Sequence, residues 1–289
     1  PAQGAQTPDA IGFLAYADHP TPLGPLSILP ATAATRDALE VAIDGLSAVG
    51  QTSIGNALAQ AQLFLAAYYD ADGSHPDEEL IGLVTDGENT VPNSPEQYLE
   101  GLDPAFAEPD WGATVLARKA RKSAGLRLPR ISTIAIGQDA EVGSLQNVSD
   151  AAGGTTFFVP GPTGSTTLQA ATLDLAEGFF SGVESGSDLQ RVTEGRVKGM
   201  RPSEMQTFRV EPGATELRAL AVSADQPLGR LRLERPNGTI VAPTASEPES
   251  VAFRLRQPMP GVWRFVGPDL ASTQHDSVLV TAAVRSRVR

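Results

Sequence analysis

The chain has 289 residues, enough for two domains with a core each. It contains no cysteine, which excludes disulfides, thiol nucleophiles and thiolate metal sites. Its net charge is -12 and the acids are concentrated early: residues 1–180 hold 22 acidic and 7 basic residues, whereas residues 181–289 hold 12 and 15. That balance disfavours nucleic acid as a partner, because phosphates need a basic footprint.

No stretch of about 18 apolar residues predicts a membrane span. The first residues, Pro1-Ala2-Gln3-Gly4, do not form a signal peptide, and the absence of an initial Met carries the expectation that an upstream segment has been removed. Residues 11–17 read as a buried strand, with a short partner at Leu26–Leu29. Residues 35–48 read as a helix capped by Thr35 or Asp37, with Leu39, Ile43 and Leu46 on its core face. A second helix over 54–69 sets Ile54, Leu58, Ala61 and Leu65 on one face. Leu80–Val84 is a continuous apolar run of the kind found inside parallel sheets.

A long connection, Asn89–Asp110, comes next, followed by a helix over 111–124, a strand over 131–136, a helix over 144–152, a strand over 155–159 and a helix over 166–180. Strands alternating with helices predict an α/β fold with a doubly wound, mostly parallel, Rossmann-like sheet. After Ser181 the pattern changes. Residues 183–188 read as a linker, and 189–289 as an all-β sandwich. Its short strands are separated by turns such as Pro236-Asn237-Gly238 and Pro260-Gly261. The expected domains are therefore 1–182 and 189–289.

Two loops carry the chemistry. Gly50-Gln51-Thr52-Ser53-Ile54-Gly55-Asn56-Ala57-Leu58 puts hydroxyls where a helix begins, and Leu83-Val84-Thr85-Asp86-Gly87-Glu88-Asn89 puts a carboxylate where a strand ends. In an open α/β sheet, ligands bind at that carboxyl edge. Each residue has a plainer reading as well. Thr52 or Ser53 can serve only as a helix N-cap, and Asp86 only as a turn residue. Oxygen-only donors suit a hard cation. His19, His75 and His275 sit in turn-like settings without ligand spacing, and are expected to be solvated.

These segments, taken with Thr133-Ile134-Ala135-Ile136-Gly137, Leu145 and Gly153-Gly154, resemble a von Willebrand factor A domain over residues 11–180. The resemblance implies a metal-ion-dependent adhesion site. Thr52 and Asp86 would be metal ligands, with Ser53, Gly87 and Glu88 as second-shell or partner-facing groups. The ion would be Mg²⁺, or Mn²⁺ or Ca²⁺. An acidic side chain of a protein ligand would complete its shell. The family's Asp-x-Ser-x-Ser string, which ends its central first strand, does not occur here. That strand is therefore expected to be missing, leaving a gap between 11–17 and 80–84 and weak or absent metal binding by the chain as it stands.

Pro260-Gly261-Val262-Trp263-Arg264-Phe265 is similar to the penultimate sandwich strand that follows the A domain in calcium-activated chloride channel regulator proteins. The resemblance implies a non-enzymatic adhesion module, extracellular or at the cell surface. Two alternatives are a cytoplasmic regulatory or assembly subunit, and the non-catalytic part of an extracellular hydrolase. No His-Glu-x-x-His zinc motif is present. The connection 89–110 is expected to border the metal site and help select the partner, so that deleting it should leave the melting temperature nearly unchanged.

Overall fold

The computed structural model describes residues 10–17, 20–22, 29–30, 32–47, 50–72, 79–90, 94–100, 128–137, 139–160, 168–186, 189–197, 206–224, 227–267 and 278–286. The helix expected over 111–124 and the three histidines lie outside these residues. The described residues fall into two compact units. One lies within Pro1–Ala135 and Asp139–Thr156, the other within Ile136–Gln138 and Phe157–Arg289.

In the first unit, the segment read as one strand is two short ones. β1 (Ala10–Ile11) pairs antiparallel with β4 (Leu29–Pro30), and β2 (Leu14–Tyr16) with β3 (Pro20–Pro22). The break falls at Gly12-Phe13, where glycine weakens a strand interior, and the prolines of β3 suit an edge because they supply no N–H. Helix α1 (Ala33–Asp44) is capped by Thr32, whose hydroxyl accepts the Thr35 N–H at 3.1 Å, rather than by Thr35 or Asp37. Its expected core face is largely open: Leu39 is half-buried, but Ile43 is 40% exposed and Leu46 44%. Periodicity predicts an amphipathic helix but not what covers it.

Helix α2 (Ile54–Asp72) buries Ile54, Leu58 and Leu65. Strand β5 (Leu80–Thr85) runs parallel to β6 (Arg130–Ile136), from Leu80 opposite Arg130 to Thr85 opposite Ala135. With β7 (Thr156–Val159) they form a three-stranded sheet in the order β5-β6-β7. Among the described residues β5 is an edge strand, and β2 does not pair with it. A side chain reaches it instead: the Tyr16 hydroxyl donates to the Val84 carbonyl at 2.7 Å.

Helix α3 (Pro95–Glu100) lies inside the connection expected to be loop. Ser94 and Gln97 form its capping box: each backbone N–H bonds to the other's side-chain oxygen, at 2.7 and 3.3 Å. Tyr98 is 1% exposed, and its hydroxyl bonds to Gln62 of α2. This part of the connection is core, so deleting it would unfold packed structure. That corrects the expectation of an unchanged melting temperature.

Helix α4 (Val142–Ala152) ends on Gly153, which adopts φ +69°, and the following Gly154 packs so closely on the Ile131 carbonyl that a Cβ there would collide with it.

The second unit holds helix α5 (Leu168–Gly186) and nine strands: β8 (Gln190–Val197), β9 (Thr207–Val210), β10 (Ala214–Ser223), β11 (Arg232–Glu234), β12 (Ile240–Val241), β13 (Ala245–Glu247), β14 (Ser250–Arg256), β15 (Gly261–Val266) and β16 (Val278–Ser286). They make two antiparallel sheets, β13-β14-β10-β16-β8 and β12-β11-β15-β9. The inward residues form one core around Trp263, Phe253 and Phe265. Trp263 Nε1 donates to the Met259 carbonyl at 2.8 Å, which satisfies the indole inside that core.

Helix α5 lies on the outer side of β16, where Leu279, Thr281 and Ala283 are buried. Ion pairs tie it to β8: Glu184 to Arg191 at 2.6 Å, Glu177 to Arg196 at 2.8 Å, and Asp174 to Arg196. The helix continues through Gly186, so residues 183–186 of the expected linker are helical. One division between the compact units falls within β7, between Thr156 and Phe157.

Candidate functional site

The loop before α2 opens at Gly50, whose φ of +74° only glycine adopts without strain. It then runs alongside the loop that leaves β5. The Thr52 N–H donates to the Thr90 hydroxyl at 2.8 Å, and the Thr90 N–H donates back to the Thr52 carbonyl at 2.9 Å. The Ile54 N–H donates to Asn89 Oδ1 at 2.8 Å. The first N–H of α2 is therefore satisfied from the other loop.

This arrangement leaves the hydroxyls uncommitted. Ser53 takes the cap position by its backbone, since its carbonyl accepts the Ala57 N–H at 3.0 Å. Its Oγ is fully buried and has no hydrogen-bond partner among the described residues. The Thr52 hydroxyl makes no hydrogen bond among the described residues, and a Cβ placed on Gly87 would lie 3.5 Å from it. Neither hydroxyl caps the helix, so the plainer reading of these residues fails here.

The turn after β5 is held by Thr85. Its hydroxyl accepts the Gly87 N–H and donates to the Gly87 carbonyl, both at 3.3 Å. Asp86 is exposed, and its carboxylate makes no hydrogen bond or ion pair among the described residues. It too is free of the local role that a turn residue would have. Its charge is felt by Tyr16, whose pKa is pushed up to about 12: burial raises it most, the Thr85 hydroxyl pulls it down, and the Asp86 carboxylate raises it further.

No family profile matches the chain, and no curated protein matches it. Among solved structures it matches a protein described as von Willebrand factor type A from Catenulispora acidiphila. The TM-score is 0.41 at 16% identity, over 97% of this chain and 50% of that one. The chain spans half the length of that match, and at this likeness no residue's role carries across.

The donors fit a hard cation in kind: a hydroxyl and a carboxylate are oxygen ligands without competing partners. They do not fit it in number. Among the described residues, no group of three or more Asp, Glu, His or Cys side chains is placed to hold a metal, against the roughly six oxygens such an ion takes. The loops thus bring Thr52 beside Gly87, with Ser53 buried next to it in the chain and Asp86 at the same strand end, while Glu88 stands exposed. Sequence reasoning missed Thr90, Asn89 and Tyr16, which lace the loops and brace β5. Their bonding signal is tertiary, and Asn89 stood in the motif with no role assigned.

Proposed function

We propose that this chain is a von Willebrand factor A-like, non-enzymatic binding module. It takes an acidic side chain of a protein ligand through a divalent cation of the Mg²⁺ type. Thr52 and Asp86 would hold the ion, with Ser53 behind them and Gly87 and Glu88 facing the partner. An ion held there would supply a positive centre for that carboxylate. The observation that supports this reading is the lacing of the two loops, which brings an uncommitted hydroxyl and an uncommitted carboxylate to the end of one parallel strand. Two ligands alone predict weak affinity, and the module is expected to need a further strand bearing the remaining oxygens. Its expected setting is extracellular or at the cell surface.

Titrating Mn²⁺ against the chain, with the free ion followed by electron paramagnetic resonance, tests the reading. Weak uptake should be lost in both Thr52→Val and Asp86→Asn. Uptake unchanged by both substitutions would place the ion elsewhere and refute the assignment.

A further inference from the structure

The outer face of β10, β14 and β16 gathers arginines around a single acid. The pairing sets Glu216 opposite Arg256 and Arg218 opposite Arg254, while β16 brings Arg285 opposite Glu216. The buried Glu216 carboxylate accepts Arg218 Nε at 2.7 Å and Arg254 Nε at 2.8 Å, with Arg285 Nη1 at 3.9 Å. One carboxylate thus serves three arginines. The fourth, Arg256, is exposed and has no partner among the described residues.

Arg256 lines an open cleft with Gly213, Ala214, Thr215 and Gln257. The wall of the cleft is strained: Gln257 has φ +48°, a left-handed conformation that side chains disfavour and that concentrates at ligand clamps. The Gln257 N–H donates to the Thr215 carbonyl at 2.8 Å, which fixes that wall across the two strands.

We propose that this cleft docks an extended acidic segment of a protein partner. One carboxylate of the segment takes the Arg256 guanidinium, whose planar fork matches it. Further acids of the segment recur on the same face, because residues two apart on a strand repeat about every 6.8 Å. Four arginines stand there against the one carboxylate of Glu216, so the occupant that complements the charge of the face is acidic. The proposal shares no residue with the metal reading and stands without it.

The test uses the full chain and a fluorescein-labelled peptide of alternating glycine and glutamate. Saturable binding is expected, weakening as NaCl is added. Arg256→Gln should weaken it about tenfold. Arg209→Gln should leave it unchanged, since Arg209 lies on the other sheet, paired with Glu211. Amide shifts in the wild-type chain should cluster at 213–215 and 256–257, and they decide the matter by themselves if Arg256→Gln proves unstable. Absence of saturable binding, equal binding by Arg256→Gln, or shifts elsewhere would overturn the proposal. So would displacement by inorganic phosphate or a heparin fragment at lower concentration than unlabelled peptide, which would identify a phosphate or sulfate ligand instead.

Discussion

The antiparallel sheets and the three-stranded parallel sheet solve different burial problems. In the antiparallel unit each strand needs one apolar face, and alternation supplies it: Val251 and Phe253 point inward and are buried, with Arg254 outward between Phe253 and Leu255. A parallel strand needs cover on both faces and pairing on both edges. β6 has it, with Ile131 to Ala135 all buried, whereas neighbouring β5 leaves Gly82 exposed and, among the described residues, pairs on one edge only and accepts a bond from the Tyr16 phenol. A region whose cover is written into its own alternation is self-sufficient. A region that depends on layers from elsewhere in the chain is not.

The largest test of this contrast is Trp263→Ala. The side chain is 1% exposed in the shared core of the two sheets, and its loss should cost about 3–5 kcal/mol, measured by urea denaturation. Next is Glu216→Gln. Removing a carboxylate that three arginines share should cost about 1–3 kcal/mol, toward the lower end because those arginine side chains are 25%, 35% and 30% exposed. Burial opposes the charge of Glu216, but Arg218, Arg254 and Arg285 together hold its pKa below the usual carboxylate range. Its contribution is therefore present above the unfolded-state pKa and is lost as pH falls through the folded one. Acid denaturation of Glu216→Gln should lack that component.

Tyr16→Phe is smaller. It removes the bond to the Val84 carbonyl and should cost about 0.5–1.5 kcal/mol. Because folding raises the pKa of the phenol from 10.0 to about 12, wild-type stability should fall as pH rises across that interval, and Tyr16→Phe should remove a late component from the ultraviolet titration. Ile43→Ala should do least, within about 0.5 kcal/mol, since that face of α1 is open. A large loss there would mean that α1 is covered, and would erase the contrast.

The elements were legible where the pattern was local. The apolar run at Leu80–Val84, the helical spacing of Ile54, Leu58 and Leu65, and the alternation around Phe253 each predicted the element that forms. β8 was not legible, because Gln190-Arg191-Val192-Thr193-Glu194-Gly195-Arg196-Val197 is polar and lacks clean alternation. It is held by pairing with β16 and by α5's acids. Helix α3 was hidden because six residues carry too little periodicity, although its Ser94 and Gln97 capping box was readable. At the site, the placing of Thr52 and Asp86 at element ends was visible from sequence. The lacing by Thr90 and Asn89 depends on residues 35 and 38 positions apart, which no local pattern reveals.

The claim that the loops at Thr52 and Asp86 serve one ion is tested most directly by paramagnetic broadening. With Mn²⁺ added to the ¹⁵N-labelled chain, the amides of Thr52, Ser53, Gly87 and Glu88 should broaden together and first, and Asp86→Asn should abolish the effect. Broadening of only one of the two loops, or of another acidic segment ahead of both, would contradict a shared site.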